Sequence, residues 1–143
     1  MGRDIPDPAT RRRLLTLYGR KAVLEALADP SLDCRTLHLA DSNRGGGTLA
    51  DIERMAARRS VASRHHSRQE LARISRNGKQ DQGVALDVYC PEFGDLDMFL
   101  SSIAAGPARP LRLLALDGVT NPQNMGMTLR SAAAAGVDGF LYA

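Results

Sequence analysis

Arg130 stands in the run "NPQNMGMTLRSAAAAG" (121–136), followed by five small residues, Ser131 through Ala135. Small neighbours build a helix for close packing, so a guanidinium there is either a surface charge or a group facing a ligand. Earlier in the run, the Asn124 side-chain oxygen can cap the helix that follows, and Gly126 lets another backbone approach. A second group of side chains offers a different chemistry. From Arg54 to Lys79 stand Arg54, Arg58, Arg59, Arg64, Arg68, Arg73, Arg76 and Lys79, opposed only by Glu70. The segment carries +7 in a chain of net charge +3, leaving −4 for the remainder. Such a concentration is what a phosphate-binding surface needs, because each neutralised phosphate releases counterions. The alternative is a solvated face that keeps the protein soluble.

Other reactive residues are sparse. Cys34 begins an apolar run and Cys90 ends one, so both read as small buried hydrophobes in a reducing cytoplasm. His65 and His66 are adjacent and point to opposite sides of a strand. They lack a third ligand at metal spacing, and no metal is expected. No stretch is apolar enough for a membrane helix. The start, "MGRDIPDPATRRRLL", is polar and basic and reads as a frayed tail rather than a secretory signal.

The elements that must position these residues follow from periodicity. "YGRKAVLEALAD" places Val23, Leu24 and Leu27 at helical spacing. "CRTLHLA" (34–40) alternates as a strand, and "TLADIERMAARR" puts Leu49, Ile52 and Met55/Ala56 on one helix face. "VASRHH" is a short strand, and in "SRQELARIS" Ser67 and Glu70 form a capping box, with Leu71 and Ile74 turned inward. "GVALDVY" (83–89) points Val84, Leu86 and Val88 one way. Residues 1–90 thus make a compact α/β domain. Residues 91–110, rich in proline and glycine, make a linker with one helix near Asp95 to Ala104. "LRLLALD" (111–117), the Arg130 helix ending at Gly136, and "VDGFLYA" form a βαβ unit, whose ligands gather at the carboxyl ends of strands.

"LDGVTNPQNMGMTLRSAAAAGV" resembles the first signature motif of the SpoU/TrmH class of SPOUT RNA ribose-2′-O-methyltransferases, with its Asn, Gly and Arg at Asn124, Gly126 and Arg130. "LYGRKAVLEAL" and "NGKQDQGVALDV" resemble the substrate-binding domain that precedes catalysis in many of these enzymes, a fold similar to kink-turn-binding ribosomal proteins. The resemblance implies methyl transfer from S-adenosylmethionine to a ribose 2′-hydroxyl of RNA, ribosomal RNA first, by a cytoplasmic homodimer. Arg130 would fix a phosphate and stabilise the developing alkoxide, and Asn124 would hold the loop. Arg58, Arg59, Arg64, Arg68, Arg76, Lys79 and Gln82 would hold RNA. Two positions depart from many relatives: Asn121 replaces Asp, and Asp81 replaces the His before "QGV". They leave the RNA target open.

The family's cofactor loops lie in the last third of a knotted catalytic domain, and no residue here matches them. The sequence therefore reads as a truncated chain: an RNA-binding domain (1–90), a linker (91–110) and the opening of a SPOUT α/β-knot domain (111–143), inactive in methyl transfer alone. A non-catalytic RNA-binding module is one rival. A nucleotide-binding oxidoreductase is the other, since "GGGTLA" (45–50) fits Gly-x-Gly-x-x-Gly/Ala, but the next strand ends in His65 and His66 instead of an acidic residue.

Overall fold

The computed structural model describes residues 8–11, 13–119 and 121–142. The start of the polar tail, through Asp7, lies outside them. The chain divides into two compact units, Met1–Gly94 and Asp95–Ala143.

The first unit runs α1 (Pro8–Arg11), β1 (Leu14–Tyr18), α2 (Arg20–Ala28), β2 (Asp33–Ala40), α3 (Thr48–Arg58), β3 (Ala62–His66), α4 (Arg68–Ser75) and β4 (Val84–Tyr89). Its sheet has the order β1-β4-β2-β3. Strands β1 and β2 are antiparallel to β4, and β3 is parallel to β2. Strand β1 and helix α1 correct the reading of a frayed tail. "LLTLY" is short and runs straight into a helix, so its strand character comes from pairing with β4, not from its own pattern.

The two sheet faces are layered differently. Val84, Leu86 and Val88 join Leu37 and Leu39 in a core closed by Val23 and Leu27 of α2 and by Leu49, Ile52 and Ala56 of α3. On the other face Ala40 and Ala85 meet Leu71 and Ile74 of α4, which packs against all four strands. This is why β2 ends in four consecutive buried residues, Leu37 to Ala40: it is a central strand covered on both sides. Helix α4 starts with the expected capping box, Ser67 accepting from the Glu70 N–H while the Glu70 carboxylate accepts from the Ser67 N–H.

The second unit contains α5 (Leu96–Ala105), β5 (Leu113–Leu116), α6 (Pro122–Ala134) and β6 (Gly139–Tyr142). Asp95 caps α5 through the Met98 N–H. Strands β5 and β6 pair in parallel, giving the expected βαβ unit. Helix α6 ends in a Schellman motif, with Val137 N–H on the Ala132 carbonyl and Gly136 N–H on that of Ala133. Gly136 has φ +66°, the left-handed turn that the motif requires. No helix among the described residues is long and apolar enough to cross a membrane.

Candidate functional site

Pairing directions bring four segments to one end of the first sheet. The carboxyl ends of β1, β2 and β3 and the amino end of β4 lie together there. The segments are Gly19–Lys21, the loop 41–47, the β3–α4 junction and the loop 76–83. They are laced to one another. Gln82 Oε1 accepts from the Arg20 N–H at 3.0 Å, serving as a cap for α2, whose own N-cap residue, Gly19, has no side chain. Arg20 Nε returns a bond to the Gln82 carbonyl at 3.3 Å. Asn43 Nδ2 donates to the Gly83 carbonyl at 2.8 Å, and Asn77 Nδ2 to the Tyr18 hydroxyl at 3.0 Å. Gly83 has φ +77°, and a Cβ there would run into Asn43, so this crossing needs glycine.

The sequence-predicted RNA residues divide in this frame. Arg68 opens α4, Arg76 follows its last turn, and Lys79 and Gln82 lie in the loop; all four are exposed and belong to the laced end. Arg64 is exposed on the edge strand β3, on the face that carries α4. Arg58 is the last residue of α3, which runs from the end of β2 back toward the start of β3, and so lies at the opposite end of the sheet. Arg59 has another task. Its guanidinium turns inward and donates to the carbonyls of Ala26, Leu27 and Asp29 at 3.3, 3.2 and 2.8 Å, and to that of Leu32 at 2.5 Å. It gathers the carbonyls of the turn that follows α2, of which that of Leu27 lies in the last turn of the helix, and its donors are engaged there rather than held out for a phosphate. Among the other basic residues, Arg54 pairs with Asp51 on its own helix. In their place the structure adds Arg20, Lys21 and Arg44 to the laced end. The signal for them was available: "GRK" opens a helix just after the strand "LLTLY", and Arg44 precedes three glycines.

A polar chain crosses the α4-side face of the sheet. Thr16 Oγ1 donates to Asp87 at 2.7 Å, His38 Nε2 meets the other Asp87 oxygen at 2.9 Å, and His38 Nδ1 meets His66 Nε2 at 2.9 Å. His65 points the other way, exposed, 3.9 Å from Asp41. Burial pushes His66 down from 6.5, helped by neighbouring His38. For Asp87, burial pushes upward, but the hydrogen bonds from His38 and Thr16 outweigh it and the carboxyl titrates below 3.8. Cys34 and Cys90 are half-buried, and desolvation raises both thiols. Among the described residues no group of three His, Cys, Asp or Glu side chains could hold a metal ion.

In the second unit, α6 begins at Pro122, so Asn124 lies inside its first turn and is not its cap, as the sequence reading had it. Proline fixes the φ of a first helical residue and lacks the N–H that would go unpaired there, which starts the helix three residues earlier than a cap at Asn124 would. Asn124 is exposed, and its carbonyl accepts from Thr128 Oγ1 at 2.8 Å. Arg130 is exposed too, and its Nε donates to the Gly126 carbonyl at 3.3 Å. A Cβ on Gly126 would meet the guanidinium at 3.9 Å, an ordinary contact, so this fold-back does not itself require glycine. Six residues separate Asn124 from Arg130, a rotation of about 240° and a rise of about 9 Å. The structure does not bring the two together on one helix face.

Residues 16–93 match the family model for RNA 2′-O-ribose methyltransferase substrate binding. The chain belongs to that family. A Mycolicibacterium vanbaalenii relative of this substrate-binding chain, named an uncharacterized tRNA/rRNA methyltransferase, is 34% identical over 125 residues, 87% of this chain and 39% of its own length. A 23S rRNA (guanosine-2′-O-)-methyltransferase of Xylella fastidiosa is 32% identical over 121 residues, 85% of this chain and 47% of its own. The chain therefore spans less than half the length of these relatives. In fold it resembles the SpoU methyltransferase AviRb from Streptomyces viridochromogenes, a structure in complex with AdoMet: TM-score 0.51, 21% identity, 93% of this chain and 46% of that one. An AdoMet-bound rRNA methyltransferase from Sinorhizobium meliloti gives TM-score 0.50 at 18% identity, over 97% of this chain and 52% of that one. The laced basic end of the substrate-binding unit, from Arg20 to Gly83, falls wholly inside the matched span.

Proposed function

We propose that this chain holds RNA, ribosomal RNA first, for methylation of a ribose 2′-hydroxyl, and that the laced basic end of the first unit is the surface that holds it. The observation carrying this reading is the convergence of Arg20, Arg44, Arg68, Arg76 and Lys79 on one end of a sheet whose sequence matches a substrate-binding family. Arg64, on the adjoining face, extends the surface; Arg58, at the far end, is at most peripheral to it. Binding is tested by titrating the 143-residue chain with a 23S ribosomal RNA transcript at several salt concentrations. The affinity falls steeply with salt, and Arg68→Gln, Arg76→Gln and Lys79→Gln each reduce the slope by about 0.7–0.9. A salt-independent affinity rejects the reading.

The reaction is proposed to be methyl transfer from S-adenosylmethionine, which supplies the methyl group when bound. Its fit to the described residues is poor. The cavity of about 330 Å³ in the second unit, lined by Phe99, Ser102, Arg109, Leu111 and Asp138, opens at the amino end of β5. Ligands of parallel sheets gather at the opposite, carboxyl end. Its charged pair, Arg109 and Asp138, is closed on itself at 2.7 Å. The role proposed for Arg130 is to fix a phosphate and stabilise the developing alkoxide; a guanidinium that stays protonated is a poor base. Asn124 is proposed to shape the first turn of its helix. Transfer of labelled methyl to RNA is measured with this chain alone and with the chain extended to the length of its relatives. In the extended protein Arg130→Lys loses most of the rate while RNA affinity falls little. The complete enzyme is proposed to be a cytoplasmic homodimer. A non-catalytic RNA-binding module is the second reading, for which residues 16–93 would suffice, and RNA binding without methyl transfer in the extended protein would support it.

A further inference from the structure

Asp81 is 2% exposed, yet it stands in the middle of the most polar loop of the first unit. Its two oxygens reach opposite ends of that loop. Oδ2 accepts from Ser75 Oγ at 2.9 Å, at the last residue of α4, and Oδ1 accepts from the Gly83 N–H at 2.9 Å, just before β4. The same serine oxygen accepts from the Asn77 N–H at 3.2 Å. Inside the hoop, the N–H groups of Gln80 and Asp81 both donate to the Asn77 carbonyl. Two residues other than glycine hold left-handed φ there, Arg76 at 55° and Gln82 at 54°. Such conformations persist only when their surroundings over-determine them. Gly78 closes the arrangement from the helix side, since a Cβ on it would lie 2.6 Å from Ala72 Cβ.

We infer that Asp81 is the positioning residue of the RNA surface: by clamping Ser75 to Gly83 it fixes the spacing at which Arg76 and Lys79 are offered to phosphates. The inference rests on the RNA reading above and deepens it. A clamped loop has already lost the freedom that binding would otherwise remove, so its cations engage together. The clamp also holds Gln82 where it caps α2, which ties Arg20 to the same frame. No residue with an apolar side chain can replace it, because Ser75 Oγ and the Gly83 N–H would lose their buried partner.

The test compares four variants of the 143-residue chain on the 23S ribosomal RNA transcript, with thermal melts to correct for the folded fraction. The double variant Arg76→Gln/Lys79→Gln calibrates the loop and lowers the salt slope by about 1.5. Asp81→Ala lowers it by a similar amount and weakens binding about tenfold at moderate salt. Asp81→Asn restores the slope, since its amide accepts from Gly83 and donates to Ser75. A purely structural role would change the folded fraction and leave the slope untouched. If Asp81→Ala does not fold, Ser75→Ala, which cuts one arm, decides: a reduced slope supports the clamp and a native slope overturns it. A native slope for folded Asp81→Ala beside a reduced one for the double variant overturns the inference alone. A native slope for the double variant removes the loop from the RNA surface, and the inference falls with it.

Discussion

Of two strands in this chain, the more hydrophobic is the less buried. "TLHLA" in β2 places Leu37 and Leu39 at 0% and 2% exposure, while "LLAL" in β5 leaves Leu113 at 44%. The first belongs to a four-stranded sheet with α2 and α3 on one face and α4 on the other. The second belongs to a two-stranded sheet in a unit where, among the described residues, only Ala132 is buried. Apolar sequence makes a strand, but the number of layers around it decides whether the strand is stabilised.

The largest effect comes from the cores. Leu86→Ala should destabilise the first unit by about 2–5 kcal/mol, since a fully buried leucine leaves a cavity that the sheet cannot close. Leu113→Ala should cost under about 1 kcal/mol, because half its surface is already in water. Urea unfolding read by amide exchange on β4 and β5 separates the two. Equal losses would mean that β5 is as well covered as β4.

The next effect separates two adjacent arginines. Arg59→Ala removes the charged donor that ties four carbonyls of the α2–β2 turn together, three of which keep another N–H, and should cost about 2 kcal/mol, a hydrogen-bond loss at a charged group. Arg58→Ala, exposed at the end of α3, should change stability by less than about 0.5 kcal/mol. If both unfold at the native urea midpoint, the inward guanidinium adds nothing and Arg59 returns to the list of RNA-facing cations.

That pair also shows what sequence could and could not tell. Periodicity found α2, α3, α4 and β4 with their inward faces, because those patterns are local. It placed the whole of 54–79 in one basic surface, because charge along the chain carries no direction. Only strand pairing sends Arg58 and Arg68 to opposite ends of the sheet, and only tertiary contact turns Arg59 inward. Strand β1 was missed for the same reason: its partner β4 lies some seventy residues away. The loop at Asp81 was legible as a motif, but not as a clamp, since both partners are defined by where α4 ends and β4 begins. Asn124 was misread as a cap because the start of its helix is set by Pro122, not by the asparagine that follows it.

Helix caps give a smaller and sharper contrast. Ser67→Ala removes the cap of α4, and Asp95→Ala removes that of α5, the same kind of bond in two units. Each local loss is about 1 kcal/mol. In the first unit α4 closes a face of the sheet, so the loss should appear in global unfolding; in the second it should appear only as faster amide exchange within α5. A matching shift of the global midpoint by both would show that α5 unfolds together with the rest.

The smallest effect is the pH dependence of the first unit. His66 faces His38 from β2, Arg64 on its own strand, Glu70 from α4 and Asp41 from the loop after β2, and burial leads in holding its pKa below 6.5. An unfolded chain binds that proton first, so stability is complete above about pH 6.5 and declines as pH falls from there toward the folded value. Asp87 acts in a separate window. Its folded value lies below 3.8, so its contribution is complete above that pH and is lost as pH falls further. The hydrogen-bond chain joins the two, because Asp87 accepts from His38 Nε2–H, which leaves His38 Nδ1 to accept from His66. Urea midpoints measured from about pH 8 to about pH 3 should therefore fall in two steps. His66→Gln should remove the upper step, since glutamine still donates to His38 but does not titrate; Asp87→Asn should reduce the lower, to which Asp29 and Glu70, both held below their ordinary values by hydrogen bonds, also contribute. The upper step is small because the His66 ring is partly exposed, and water screens part of every interaction it makes. A flat profile between about pH 7 and about pH 5 would show that the pair does not sense protons at all, and the Thr16–Asp87–His38–His66 chain would then only tie β3 to the sheet.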